Sequence, residues 1–175
     1  MASDFARYIA NLRQSLFDEQ ILDGRFVQLE LLENDSEGFL EDACAEYFRD
    51  AAKILGLMVA ELERPPYHIP TVESLFSRFK RSTTSVILFL YWLVTESALC
   101  ACSIGAAKVT HQINCMKQNW KGGDFRACMI AFEIIKRENE HLQFRLENYL
   151  KLRKQGPPVE IEDRPEYGYI DSDSE

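Results

Sequence analysis

The sequence predicts an all-α protein, an antiparallel four-helix bundle with two additional N-terminal helices. Three observations favour this class. Apolar residues recur at helical spacing over long segments, the connections between those segments are short, and the 175 residues include only 8 glycines and 6 prolines. A chain of this length supports one domain with a sizeable core. Its composition, 46% hydrophobic and 27% charged, is that of a soluble globular protein.

Two helices are predicted before the bundle. The first is expected over residues 3–19, because Ser3 is a favourable N-cap and apolar residues follow it at helical spacing. The second is expected over residues 24–32. The apolar residues expected to face the core from these helices are Phe5, Tyr8, Ile9, Leu12, Leu16, Phe26, Leu29 and Leu32.

Four further helices are predicted to form the bundle, over residues 36–63, 71–84, 104–120 and 124–154. Pro65 and Pro66 end the first of them, because proline cannot continue a helix and restricts the residue before it. Gly122 and Gly123 separate the last two. The residues expected to face the core are Leu40, Cys44, Tyr47, Phe48, Ala51, Ile54, Leu55, Met58, Leu62, Val72, Leu75, Phe76, Phe79, Thr83, Val109, Ile113, Met116, Trp120, Phe125, Cys128, Met129, Phe132, Ile135, Leu142, Leu146 and Tyr149.

Residues 1–155 are predicted to form one helical domain, interrupted by an apolar stretch at residues 86–103. From Val86 to Val94 the stretch is apolar on all sides, which is typical of a buried or membrane-inserted segment. It is short for a membrane span, which needs about 20 apolar residues, and extending it to residue 102 brings Glu96 near the middle. Membrane association is therefore not the favoured interpretation, but it stays an alternative.

Residues 156–175 are predicted to be an acidic, disordered tail. The segment opens with Gly156 and two prolines and is rich in Asp and Glu. It lacks the apolar surface that would offset the entropy lost on ordering.

Charge, cysteine content and spacing exclude several classes of function. The net charge of −8 argues against a nucleic-acid binder, which needs clustered Lys and Arg. The five cysteines are odd in number and form no Cys-x-x-Cys pair, so reduced thiols in the cytoplasm and nucleus are expected. The only spacing typical of a metal site is Glu138-x-x-His141, and di-iron bundles need a second such motif. No metal or other cofactor is therefore expected.

The candidate functional residues lie on the predicted helix over residues 71–84. At about 100° per residue, Ser77, Lys80 and Arg81 point away from the apolar stripe of that helix. Arg78, Lys80 and Arg81 form a small basic patch on an acidic protein. The patch is either a solvated helix face or a docking surface for an acidic partner. No base or oxyanion hole accompanies Ser77 in the sequence, so it is not predicted to be a nucleophile.

Three blocks of the sequence resemble the plant histidine-containing phosphotransfer proteins, in the order and spacing of that family. The blocks are Phe26-Val27-Gln28-Leu29 followed by Tyr47-Phe48-Arg49-Asp50-Ala51-Ala52-Lys53-Ile54-Leu55, then Ile104-Gly105-Ala106-Ala107-Lys108-Val109, and finally Glu147-Asn148-Tyr149-Leu150-Lys151-Leu152. The resemblance covers residues 1–155 apart from the apolar stretch, which is either a true insertion or a gene-model artefact.

The family's site motif reads His-Gln-Leu-Lys-Gly-Ser-Ser, and this sequence has Ser77-Arg78-Phe79-Lys80-Arg81-Ser82-Thr83 in its place. The resemblance implies that Ser77 occupies the position of the phosphoryl-accepting histidine and that Arg81 replaces the glycine. Lys80 and Ser82 match the motif. A serine phosphoester is far more inert than a phosphohistidine, so reversible phosphoryl shuttling at Ser77 is not expected.

The resemblance implies a pseudo phosphotransfer protein that is not an enzyme. It would dock receiver domains of hybrid histidine kinases and response regulators and compete with, or modulate, the cytokinin phosphorelay. The residues implied in partner binding are Ser77, Arg78, Lys80, Arg81 and Ser82. Two alternatives stay open: a membrane-associated helical scaffold anchored through residues 86–102, and a phosphorelay mediator that uses a non-standard acceptor such as His111.

Overall fold

The computed structural model of this chain describes residues 2–33, 38–63, 68–84 and 104–156. These residues form α1 (Ala2–Asp18), α2 (Gly24–Leu32), α3 (Phe39–Leu62), α4 (Ile69–Thr84), α5 (Ala107–Lys121) and α6 (Phe125–Gln155). The predicted all-α class, with two helices ahead of a four-helix bundle, is confirmed. The predictions for the apolar stretch at 86–103 and for residues 157–175 lie outside the described residues. None of the described helices is long and apolar enough to cross a bilayer.

Helices α3 to α6 form the bundle, and contacts at their ends define its direction. Lys154, near the end of α6, pairs with Glu41 near the start of α3 at 3.3 Å, so these two helices run antiparallel. In the middle of the bundle the Tyr47 hydroxyl of α3 donates to Asn139 Oδ1 of α6 at 2.9 Å. Phe76 of α4 meets Trp120 of α5 edge to face, with ring centroids 6.2 Å apart. Both Tyr47 and Asn139 are buried, so this polar pair fixes the register of two facing helices.

The predicted core stripes of α3 and α5 are confirmed, whereas three residues predicted to face the core are exposed. Tyr8 of α1 is 52% exposed, and Phe125 and Met129 of α6 are 44% and 40% exposed. Tyr8 lies about 100° from the buried Ile9, on a helix that packs against the bundle along one side only. Phe125 belongs to the first turn of α6, where its ring packs against Trp120 at 5.3 Å instead of entering the core.

A buried ionic cluster attaches α1 and α2 to α6. The Glu30 carboxylate of α2 is fully buried and accepts hydrogen bonds from the guanidinium of Arg13 on α1, the shortest of them 2.6 Å. Its other oxygen accepts from the Tyr149 hydroxyl of α6 at 2.7 Å. Burial and the neighbouring Glu30 carboxylate raise the pKa of Tyr149, so the phenol stays protonated and donates.

The start of α5 is fixed by the turn between α1 and α2. Residue Ala106 forms an antiparallel bridge with Leu22, and the Asp23 amide donates to the Gly105 carbonyl at 2.8 Å. Gly105 has a φ of +66°, and a Cβ there would lie 2.5 Å from the Asp23 carboxylate, so only glycine fits. The helix therefore begins at Ala107 and not at Ile104, because Gly105 and Ala106 are not helical and pair with the α1–α2 turn.

Candidate functional site

Helix α4 begins two residues earlier than its apolar pattern predicts. The His68 carbonyl accepts hydrogen bonds from the amides of Thr71 and Val72, at 3.0 and 3.2 Å. Pro70 is accommodated in the first turn, where its missing N–H would have had no partner within the helix. This start aligns the rest of α4 with the bundle.

The buried side of α4 determines which residues face outward. Val72, Leu75, Phe76 and Phe79 are buried, and Phe76 packs against Trp120 of α5. Since these four side chains occupy one side of the helix, residues about half a turn away must face solvent. The site residue Ser77 is exposed, and its position is fixed by the core packing of its neighbours.

The Ser77 hydroxyl donates to the backbone carbonyl of Glu73, one turn earlier, at 3.0 Å. A serine that bonds back to its own helix directs its proton at a carbonyl, which cannot accept that proton as a base. General-base activation needs a basic side chain within hydrogen-bond reach of the nucleophile. The geometry at Ser77 is that of a solvent-facing helix residue.

Arg78 and Lys80 are both exposed and lie on opposite flanks of Ser77. Arg78 lines a groove of about 380 Å³ between α3 and α4. Lys80 lies one turn after Phe76, on the flank of α4 that faces α5. Together the two cations border the outward face of α4 on both sides.

The groove beside Arg78 combines apolar and charged residues. Its α3 wall includes Leu57, which is 41% exposed, and Glu61, and its α4 wall includes Ser74 and Arg78. The sequence pattern did not assign Leu57 to any site. Leu57 could have been noticed in the sequence as an apolar residue outside the core stripe of α3, on the side of that helix that α4 approaches.

Arg81 and Ser82 lie on the last turn of α4. They follow Ser77 by four and five residues, so all five predicted binding residues belong to α4. The binding roles of Ser77, Arg78, Lys80, Arg81 and Ser82 stay predictions at this point.

His111, the non-standard acceptor considered from sequence, lies on α5 and is exposed. Its Nε2 atom is 3.6 Å from the Sγ atom of Cys115, one turn later. It lines a cavity of about 550 Å³ formed by α5 with the α1–α2 turn, and no residue of α4 lines that cavity. The structure thus places His111 and Ser77 on different helices, and Ser77 does not line the cavity beside His111.

The remaining residues with metal-binding or thiol chemistry are dispersed. His141 is exposed and Glu138 is half-buried on α6, while Cys44 and Cys128 are buried. Burial raises the pKa of Cys128 to about 11, and its thiol donates to the Met116 carbonyl at 3.5 Å. Among the described residues, no group of three or more His, Cys, Asp or Glu side chains is placed to hold a metal ion.

No protein-family model matches the sequence. The chain is 27% identical over 157 residues to pseudo histidine-containing phosphotransfer protein 2 of Oryza sativa subsp. japonica, covering 89% of the chain and 92% of the rice protein. It is 28% identical over 131 residues to histidine-containing phosphotransfer protein 4 of Arabidopsis thaliana, covering 74% and 89%.

Crystal structures of histidine-containing phosphotransfer proteins share the fold. A rice protein, described as putative in that role, superposes with a TM-score of 0.70 and 21% identity over 88% of the chain and 96% of its own length. A maize protein superposes with a TM-score of 0.70 and 22% identity over 86% and 98%. At this level of identity, the structural similarity supports the fold.

Proposed function

We propose that this chain is a pseudo member of the plant histidine-containing phosphotransfer family and that it docks receiver domains without carrying a phosphohistidine. The partners would be receiver domains of hybrid histidine kinases and response regulators in the cytokinin phosphorelay. By occupying the surface that active shuttles use, the protein would compete with them in the cytoplasm and nucleus.

The single observation that carries this proposal is the exposed Ser77 at the position that the family resemblance assigns to the acceptor histidine. A phosphorelay needs an imidazole nitrogen, which accepts a phosphoryl group and releases it again readily. A phosphoester at Ser77 would not release its phosphoryl group readily, and the Ser77 hydroxyl donates a hydrogen bond to the Glu73 carbonyl at an oxygen–oxygen distance of 3.0 Å. We therefore propose that the chain docks receiver domains without phosphoryl transfer at Ser77.

The charge on α4 supports docking to an acidic surface. The chain carries a net charge of −8, yet Arg78, Lys80 and Arg81 are clustered within four residues of α4. Receiver domains, as the resemblance implies, present acidic residues around their phosphorylatable aspartate. Complementary charge steers association and fixes orientation more than it adds affinity.

The groove between α3 and α4 supplies the apolar part of the same surface. Leu57 and Leu75 contribute apolar atoms to it, next to Arg78. Protein interfaces combine an apolar centre with a polar rim, and this groove, whose lining includes Arg78 and Glu61 beside the two leucines, has that composition. The groove lies between two helices of the bundle core, so its shape is set before a partner binds.

The first test is a calorimetric titration of a plant receiver domain into the purified full-length chain. We expect micromolar binding by the unmodified chain and weaker binding by Arg78→Glu. A matched control is Arg137→Glu, which reverses an exposed charge on α6 and should bind normally. Absence of binding by the unmodified chain would overturn the docking proposal.

The second test measures phosphoryl transfer from a phosphorylated receiver domain. We expect no label on the unmodified chain and acid-labile label on the double variant Ser77→His, Arg81→Gly, which restores the histidine and the glycine of the family motif. Label on the unmodified chain that disappears in His111→Ala would instead establish the alternative of a non-standard acceptor.

The alternative of a membrane-anchored scaffold is tested by fractionation of the full-length protein. A membrane-anchored protein would require detergent for extraction.

A further inference from the structure

Residues 157–175, the acidic segment, carry most of the net charge of the protein. They hold seven acidic side chains and one arginine, whereas the whole chain has a net charge of −8. The acidic residues are Glu160, Glu162, Asp163, Glu166, Asp171, Asp173 and Glu175. We propose that the acidic segment docks on the outward face of α4 of its own chain and competes there with the receiver domain, an inference that rests on the docking function proposed for that face.

The outward face of α4 has the complementary charge. Arg78 and Lys80 are exposed there, and Arg81 follows within the same helix. Glu73 is the one acidic residue in the sequence of α4, so this helix is cationic on an otherwise acidic protein. The acidic segment therefore offers α4 the same kind of charge that the proposed receiver surface offers, and the two partners would use the same cations.

The acidic segment begins within reach of that face. Lys154 near the end of α6 pairs with Glu41 of α3, and Leu57 of α3 lines the groove beside Arg78. Glu41 and Leu57 are 16 positions apart, which is about 24 Å along a helix. The 19 residues of the acidic segment span at most about 60 Å when extended, which exceeds that length together with the width of two packed helices.

The chain leaves α6 at a defined point and does not continue the helix. Gly156 has an extended backbone, with φ −99° and ψ 169°, and it lies against Phe5 and Ile9 of α1. Pro157 and Pro158 follow, and proline cannot continue a helix. Because one end of the acidic segment is attached to the bundle, its effective concentration at α4 is on the order of millimolar. Weak charge pairing is sufficient for docking at that concentration.

The cations nearest to the acidic segment along the chain lie at the end of α6. Lys154 already pairs with Glu41 at 3.3 Å, and Arg153 is half-buried. Lys151 is exposed, but it is a single cation, whereas α4 presents several within four residues. Docking on α4 is therefore favoured over a local contact, and the position of the contact distinguishes the two.

The first experiment compares backbone amide NMR shifts of the full-length chain with those of a neutralised variant of the same length. That variant carries Glu160→Gln, Glu162→Gln, Asp163→Asn, Glu166→Gln, Asp171→Asn, Asp173→Asn and Glu175→Gln. We expect shift differences at residues 77–82 in low salt that disappear in high salt, because exposed charge pairs are screened. The control is Glu140→Gln with Glu147→Gln, two exposed acids of α6 whose replacement should leave the amides of α4 unchanged.

Three results of this comparison would overturn the proposal. The first is the absence of any difference at residues 77–82. The second is a set of differences confined to residues 151–154, which would place the contact at the end of α6. The third is a difference that grows with protein concentration, which would mean that a second copy of the chain supplies the acidic segment.

The second experiment titrates a plant receiver domain into both chains by calorimetry. We expect the neutralised variant to bind about threefold to tenfold more tightly in low salt, because the competing segment has lost its charge. The same substitutions in an Arg78→Glu background should raise the affinity less, whereas a general effect of net charge would be equal in both backgrounds. Equal gains in the two backgrounds would overturn the competition. Absence of receiver binding by every chain would overturn the docking function and the competition with it, while the NMR comparison would still decide whether the acidic segment contacts α4.

Discussion

The ionic cluster at Glu30 and the basic surface of α4 use the same kinds of side chain in opposite ways. In the cluster, the Arg13 and Glu30 side chains are 13% and 1% exposed, and the Tyr149 hydroxyl completes the bonding of the carboxylate. On α4, Arg78 and Lys80 are exposed beside a serine whose hydroxyl bonds only to its own helix in the contacts described above. Arg13 holds helices together, whereas Arg78 is exposed to solvent.

The difference between these regions follows from desolvation. Removing a charge from water is costly unless another charge and further hydrogen bonds replace the lost hydration, so a buried ion pair depends strongly on each member. An exposed cation keeps most of its hydration and adds little to folding. Substitutions in the cluster should therefore act on stability, and substitutions on α4 should act on binding.

The largest expected effect is that of Arg13→Ala. This change leaves the Glu30 carboxylate buried without its cation, and breaking such a pair typically costs about 3–5 kcal/mol of unfolding free energy. Urea denaturation followed by circular dichroism measures it. The control is Arg7→Ala, whose exposed pair with Asp4 should contribute less than about 0.5 kcal/mol. Equal effects of the two substitutions would contradict the comparison.

A smaller loss of stability is expected for Gly105→Ala. The new Cβ would lie 2.5 Å from the Asp23 carboxylate, at a positive φ. Strain at such a residue costs on the order of 1–3 kcal/mol, and the collision places Gly105 at the upper end. Gly123→Ala is the matched control, because Gly123 also has a positive φ but open space around it. Thermal unfolding should rank Gly105→Ala clearly below Gly123→Ala, and the reverse order would refute the close approach.

Most of the helical framework could be predicted from the sequence because helical periodicity is a local signal. Val109, Ile113, Met116 and Trp120 repeat at the helical period, and all four are buried. By contrast, nothing in the sequence of α2 distinguishes Glu30 from a glutamate on the protein surface. Its burial depends on Arg13, 17 positions earlier, and on Tyr149, 119 positions later. No local pattern contains those partners.

The same contrast between local pattern and tertiary contact applies to the candidate site. The exposure of Ser77 follows from the apolar stripe of α4 alone, whereas the groove beside Arg78 forms only because α3 lies against α4. Leu57 enters the site only through that packing. The pairing of Gly105 with the α1–α2 turn is likewise a tertiary contact, so the start of α5 was predicted too early from the sequence.

On α4, the substitution Arg78→Glu should weaken receiver binding about tenfold, or about 1.4 kcal/mol, while leaving the unfolding free energy unchanged. The reason is that a repulsive charge replaces an attractive one at an exposed position. Titration calorimetry and urea denaturation measure the two quantities on the same preparation. A loss of stability that matches the loss of binding would show that Arg78 belongs to the scaffold, and the contrast with Arg13 would then fail.

The smallest effect is expected for Ser77→Ala. Its size shows whether the Ser77 hydroxyl contacts the receiver domain. The hydroxyl bonds to the Glu73 carbonyl on an exposed face, and alanine favours the helix at least as well. Unfolding free energy should change by less than about 0.5 kcal/mol. Receiver affinity should match that of the unmodified chain. If Ser77→Ala alone abolished binding, the hydroxyl would be a direct contact, and Ser77 would be a recognition residue in its own right. Unchanged binding would mean that the replacement of histidine removes transfer chemistry without creating a new contact.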